Sequence, residues 1–352
     1  MDRRKRLGIV RIAGLAGLVI AAAAAAFTLW LAFPMAPSSA QSLHYRGYTL
    51  LPGGPRGGLV TVLDYLTVEG QDLFVAGESS GTIYKLALNG PDPSMPVTRF
   101  APGPALHGVA FDPVSHMAFA SRSDANTVEV FDPAAMAGVK SIPTPDDPDG
   151  VFFIPFAGLV YLVNGDAGQA TLIDPASRTV VGTIPLGGKP EFAAVDPARR
   201  LVYQNLEDLG AVAVVDVAAR KVVERMTVTG CAKPTGLAFD AAARRLFIAC
   251  SGNSVLTVFD PDNRRFVADL KIGAHPDSVA YDPGLHRIYT TGRSGVMSVI
   301  QQTDPDAYRT LDTVRLHYGA HTLAVDPSTH RLYVGYASFL TRARIAVFDA
   351  VP

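Results

Sequence analysis

Seven residues occupy one equivalent place in a repeating frame: Asp64, His107, Asp149, Glu191, Thr235, Asp277 and His321. Each stands where the chain enters the first strand of a unit, five residues before that strand ends. Four carboxylates and two imidazoles meeting at one mouth offer the mixed oxygen and nitrogen donors that suit several divalent metals. Two readings follow: one divalent ion on Asp64, Glu191, Asp277 and His321, or a wide, wet mouth whose carboxylates are separately solvated and hold nothing specific. If the protein is an enzyme, His107 or His321 would move its protons. Two carboxylates about 7 Å apart repel by roughly 2 kcal/mol at an effective dielectric near 20, so four around one mouth either gain protons or recruit a cation.

Other side chains share that face. The loops between second and third strands carry Glu78, Arg122, Asp124, Asn164, Asp166, Asn205, Glu207, Asn253 and Arg293, while Tyr65 and Phe192 add aromatic surface. Polar groups set among apolar walls predict a ligand with a flat part, bound by Asp64, His107, Asp149, Glu191, Asp277, His321, Tyr65, Phe192 and Arg293. The sequence holds no Gly-x-Ser-x-Gly, no phosphate loop, no His-Glu-x-x-His and no haem attachment motif.

The elements that must position these residues are short strands. An aromatic marks the second strand of each unit at Phe74, Phe119, Tyr161, Tyr203, Phe247, Tyr289 and Tyr333, spaced by 42 to 45 residues. That is the period of four-stranded propeller blades. Third strands follow as "VEVFDP", "ATLIDP", "VAVVDV", "LTVFDP" and "IAVFDA", and a fourth runs through segments such as "RTVVGTIPLGG". Asp-Pro pairs at 112, 196, 282 and 326 build the first hairpin of their units, and those at 132, 174 and 260 the last. His116, His286 and His330 are solvated turn residues on the opposite, lower face.

The seventh unit stops after its third strand, at Pro352, and its missing fourth strand has a counterpart in "YRGYTLLPGG", residues 45–54. The expected fold is therefore all-β: a seven-bladed propeller over residues 43–352, closed by an N-terminal strand that completes the last blade and leaves no open edge. Residues 1–42 read as a signal peptide or signal anchor plus a short linker, built on an N-terminal hydrophobic helix. A basic start, "MDRRKRLGIVR", precedes 22 uncharged residues from Ile12 to Phe33, and Ser38-Ser39-Ala40 fits signal-peptidase cleavage. Twenty-two helical residues reach about 33 Å, enough to span a bilayer core. Cleaved or retained, the segment predicts export to the periplasm or another extracytoplasmic space, with an inner-membrane anchor if it stays. Cys231 and Cys250, the two cysteines of an exported chain, both fall near the upper face, which makes a disulfide between them an expectation beside two buried thiols.

Across residues 43–352 the chain resembles the YVTN repeat family of bacterial seven-bladed propellers, which includes YncE-like proteins. The resemblance is carried by "IPLGGKPEFAAVDPARRLVY", "GCAKPTGLAFDAAARRLFIAC" and "IGAHPDSVAYDPGLHRIYTT". No unit spells Tyr-Val-Thr-Asn; "YLVN" at 161–164 is the nearest, and unit three replaces Asp-Pro by Ile154-Pro155. The resemblance implies the fold and leaves function open.

With a formal net charge of −1, and its basic cluster confined to the first eleven residues, the chain lacks the basic face that nucleic acid requires. Two function classes remain. One is an exported module that binds a small molecule or protein through its upper face. The other, by analogy with propeller lactonases and streptogramin lyases, is a metal-assisted hydrolase or lyase working at the channel mouth.

Overall fold

A computed structural model of the chain describes residues 37–53, 60–88, 90, 94–103, 105–336, 338–339 and 342–352. The basic N-terminus and hydrophobic stretch, on which signal or anchor was expected, lie outside the described residues. Among the described residues, seven four-stranded antiparallel sheets form, together with one two-stranded ribbon that pairs Val60–Thr61 with Ser338–Phe339. The first strands of blades one to seven are Leu66–Glu69, Leu106–Phe111, Pro148–Ile154, Pro190–Asp196, Pro234–Asp240, Pro276–Asp282 and Thr322–Asp326. Each touches the next, and the seventh touches the first, so the blades form a closed ring around a channel. Blade seven takes Leu43–Leu50 as its outer strand, antiparallel to Arg344–Ala350.

The repeating letters have distinct physical tasks. The aromatic of every second strand is at most 2% exposed and packs on the blade that follows it. Tyr161 meets Ala193 and Val202 of blade four, Phe247 meets Val279 and Ile288 of blade six, and Tyr333 meets Leu66 and Leu73 of blade one. Burying a side chain of this size stabilises by about 2–3 kcal/mol, so the inter-blade seams carry much of the fold's stability.

The lower-face turns share one construction. Their aspartate accepts backbone N–H groups two and three residues on: Val114 and Ser115 at Asp112, Ala242 and Ala243 at Asp240, Gly284 and Leu285 at Asp282. The fifth residue then turns left-handed, with φ of 57° at His116, 58° at Arg200 and 50° at His286. Ile154-Pro155 of blade three obeys the same geometry, because Gly158 supplies the positive φ at the fifth place. Several turn aspartates also bind the neighbouring blade: Asp196 the Arg244 guanidinium at 2.7 Å, Asp240 the Tyr281 hydroxyl at 3.0 Å, Asp282 His330 Nδ1 at 2.8 Å.

Cys231 and Cys250 are joined in a disulfide with 5.2 Å between their Cα atoms. It ties the loop that enters blade five to the end of that blade's second strand, Arg245–Cys250. Closing a loop of this 19-residue separation restricts the unfolded chain by about 3 kcal/mol. Reduction with dithiothreitol should therefore lower the urea midpoint by that equivalent. An unchanged midpoint, with the thiols shown free by alkylation, would contradict the assignment.

Candidate functional site at the upper channel mouth

The ring position works through a fault in the strand pairing. In blades two to six the register between first and second strand slips at the start of the first strand: between Leu106 and Val109, Pro148 and Val151, Pro190 and Ala193, Pro234 and Leu237, and Pro276 and Ser278. The ring residue lies inside each slip. A bulge there frees it from the pleat and redirects its side chain, as bulges beside functional sites commonly do.

The ring does not close evenly around the mouth. Three of its members gather tightly: donor atoms of Asp64, His107 and Asp149 lie within 4.8 Å of one another. His107 Nδ1 is 2.6 Å from Asp64 Oδ2 and 3.7 Å from Asp149 Oδ1. Its Nε2 is 2.9 Å from the hydroxyl of Ser123. On the far side His321 donates through Nδ1 to the Gly319 carbonyl at 2.8 Å, leaving Nε2 3.8 Å from Asp277. Lys189 bridges Glu191 at 3.3 Å and Glu207 at 3.1 Å. Thr235 is buried, and its hydroxyl donates to the carbonyl of Pro276 at 3.0 Å. That hydrogen bond turns it from a channel group into a seam between blades five and six.

The foreseen metal set is therefore not the cluster that forms. Among the described residues, Asp64, Glu191, Asp277 and His321 do not bring their donor atoms together; Asp64 groups instead with His107 and Asp149. Two donors on one tetrahedral zinc ion stand about 3.3 Å apart. At 2.6 Å the Asp64–His107 contact is a hydrogen bond with no room for an ion between its partners.

Burial and mutual repulsion act strongly here. Asp149 is pushed well above the ordinary carboxylate range by burial and then by the charge of Asp64. Glu191 is pushed up to about 7, again by burial first, with Lys189 opposing and Glu207 and Asp277 adding to the rise. Burial also raises Asp277 and Glu78, and Asp64 raises both further. His107 goes the other way from an ordinary buried imidazole. Burial works against its proton, but the Asp64 hydrogen bond and the charges of Asp64, Asp149 and Glu78 overcome it and hold its pKa at about 9.

The aromatic pair lies just inside the mouth. Tyr65 stacks on Phe192 with ring centroids 4.4 Å apart and meets Phe152 edge-on at 6.4 Å. Burial first, then Asp149, Asp64, Glu191 and Asp277, raises the Tyr65 hydroxyl, so the hydroxyl stays neutral and can donate to the acidic ring. The same two rings roof a cavity of about 430 Å³ with Phe111, Phe153 and Val195 in its walls. A polar mouth thus adjoins a cavity whose walls are mostly apolar, with Thr67 and Glu69 also lining it.

A second tier stands above the first, at the opening position of the loop between second and third strands in blades two to six. There the backbone N–H donates to the carbonyl of the residue before the blade's first strand: Ser123 to Ala105, Gly165 to Asp147, Glu207 to Lys189, Ser251 to Lys233, Arg293 to His275. Glu78, Glu207 and Arg293 were foreseen from the sequence. Ser123 and Lys189 were not, although the loop's first position would have pointed to Ser123. Two expected loop residues prove internal: Asn164 holds Pro145 and Thr171, and Asn205 holds Thr235 and Gly236. Arg293 is exposed at the rim, close enough to act on the charges of Glu78 and Asp277.

No protein-family model matches the chain, and no curated protein matches it. The resemblance to the YVTN repeat family thus rests on its quoted motifs. Among solved structures, a chain of the Kuenenia stuttgartiensis hydrazine synthase is similar with a TM-score of 0.68 at 14% identity, over 88% of this chain and 96% of that one. Altogether 1665 solved chains match, a spread so wide that the likeness fixes the fold and leaves the chemistry to the site.

Proposed function

We propose that the chain is an exported ligand-binding propeller, and that its upper channel mouth receives a small ligand bearing a positive charge. One observation carries this reading: Glu78, Asp149, Glu191 and Asp277 converge with their carboxyl pKa values all pushed upward. Such an arrangement opposes folding at neutral pH, because each group is either charged and poorly solvated or protonated at a cost. A cation entering the mouth removes both penalties. Tyr65 and Phe192 would supply the face for a flat part of the ligand. The basic and hydrophobic N-terminus supports export, and a disulfide suits an oxidising compartment.

The test is calorimetry on the full chain with a panel of small organic amines and divalent cations, in two buffers of different ionisation enthalpy. Binding should release protons from the mouth, so the apparent heat should depend on the buffer. It should be lost in Asp149→Asn/Glu191→Gln. Binding by no member of the panel, or binding that the double variant retains in full, would remove the proposal. Elemental analysis of the same preparation, purified without chelator, tells whether a divalent ion is the cation. The closed Asp64–His107 hydrogen bond favours this binding role over a metal-assisted hydrolase or lyase.

A further inference from the structure

The geometry points to Ser123 as a nucleophile activated by His107 and oriented through Asp64, giving the upper mouth an acyl-transfer activity toward small carboxylic esters. The inference rests on the upper mouth being the binding face, and adds a reaction to it.

Three residues from two blades form one line of hydrogen bonds. Asp64 enters blade one; His107 lies in the bulge of blade two, 43 residues on; Ser123 follows by another 16, just after that blade's second strand. The Asp64 carboxylate accepts a hydrogen bond from the Nδ1–H of His107 at 2.6 Å. That contact fixes the neutral tautomer with Nε2 as acceptor, and the Ser123 hydroxyl is 2.9 Å from it. These are the distances and the order of roles that a serine nucleophile, a general base and an orienting acid require.

Ser123 is suited to the part by what does not hold it. Its backbone N–H is anchored to Ala105, so the loop is fixed, while its hydroxyl contacts His107 on a partly exposed face. Ser121, two residues earlier, is the contrast: fully buried, it accepts the Gly108 N–H and donates to the Asp149 carbonyl. That hydroxyl is spent on the fold.

The reaction balances without a cofactor. Ser123 Oγ forms a bond to the ester carbonyl carbon as its proton passes to His107 Nε2. The bond to the alcohol oxygen then breaks, and His107 returns the proton to the departing alkoxide. Water then adds to the acyl carbon as His107 Nε2 takes its proton; the bond to Ser123 Oγ breaks, His107 returns that proton to Oγ, and the carboxylic acid leaves. Asp64 keeps its hydrogen bond to Nδ1–H throughout and steadies the transient imidazolium.

The surroundings set the working pH. Asp64, Asp149, Glu78 and the Ser123 hydroxyl face His107, and the three acids keep it protonated up to about pH 9. Nucleophilic reactivity should therefore climb about tenfold per pH unit between 6 and 8 and level off near 9.

The experiment treats the full chain with a fluorophosphonate across pH 6–10 and locates the adduct by mass spectrometry. The adduct should sit on Ser123, follow that pH profile and vanish in Ser123→Ala. It should form at least about a hundredfold more slowly in His107→Gln, the lower end of what a general base contributes. Asp149→Asn, by removing one of the acids, should move the profile to lower pH and speed labelling at pH 7. Near-ultraviolet circular dichroism checks that each variant folds, and the wild-type pH profile needs no variant at all. No adduct on Ser123 at pH 9.5, or equal rates in folded His107→Gln, would overturn the nucleophile. Cation binding that persists in the same protein would show that the binding role survives its failure.

Discussion

Removing residues 43–50 is expected to leave a chain with no cooperative urea transition, the largest effect any short deletion here should have. The segment pairs with Arg344–Ala350 from Leu43 opposite Ala350 to Leu50 opposite Arg344. It also joins two seams. Leu43, fully buried, packs with Tyr289, Met297 and Val314 of blade six, while Leu51 just beyond packs with Leu73 and Val75 of blade one. Ser42 donates its N–H to Asp312 at 2.8 Å, and Thr49 accepts the Met95 N–H at 3.0 Å. We propose that this pairing is what closes the ring. Without it Arg344–Ala350 becomes an open edge and three blades lose part of their contact. Loss of a whole strand exceeds the roughly 5–15 kcal/mol that holds a domain folded, so the expected product is an aggregating, partly structured chain. Leu43→Ala tests the same seam more gently and should cost about 3 kcal/mol. A deletion variant that unfolds at the wild-type urea midpoint would refute the closure.

How much of this was legible depends on whether a residue's task repeats. The buried aromatics at 42- to 45-residue spacing and the Asp turns recur because every blade must solve the same packing problem, so the sequence shows them as rows of equivalent letters. Blade three's Ile154-Pro155 looked like an exception, yet the decisive residue was Gly158, whose positive φ replaces what Arg or His supplies elsewhere. The ring was legible as positions and illegible as contacts. Asp64 and His107 meet because one bulge turns His107 toward its neighbour, and the bulge has no letter of its own. Thr235 kept the ring position and lost the ring task, since a hydroxyl could reach the Pro276 carbonyl where a longer acid could not. Ser123 and Lys189 meet partners of their own blade, His107 and Glu191, through a loop and a bulge whose geometry the spacing of letters does not encode.

The second large effect concerns pH, and its sign runs opposite to that of most proteins with buried ion pairs. Glu191 has an ordinary pKa of 4.5 and titrates at about 7 when folded, raised first by burial and then, against Lys189, by Glu207 and Asp277. Between these values the folded chain holds a proton that the unfolded chain has lost, so stability declines as pH rises from 4.5 to 7. His107 continues the decline. Its proton is held to about pH 9 against an ordinary 6.5, by Asp64, Asp149 and Glu78 acting against burial. That contribution is complete below 6.5 and lost as pH climbs through 9. At about 1.4 kcal/mol per unit for one proton, each group accounts for about 3 kcal/mol at most. The raised pKa values of Asp149, Asp277 and Glu78 push in the same direction as Glu191. Acid loss is confined to lower pH: at Asp112, Asp196 and Asp326 burial is outweighed by hydrogen bonds that hold each below the usual carboxylate range. Their stabilisation is present above the ordinary value of 3.8 and disappears as pH falls through the folded one. Urea midpoints should therefore peak near pH 4.5–5 and fall steadily to pH 9. Glu191→Gln should flatten the lower half of that slope, and His107→Gln the upper half. A midpoint that is level or rising between pH 5 and 9 would mean that the carboxylates at the mouth are separately solvated, and the electrostatic ground for cation binding would go with them.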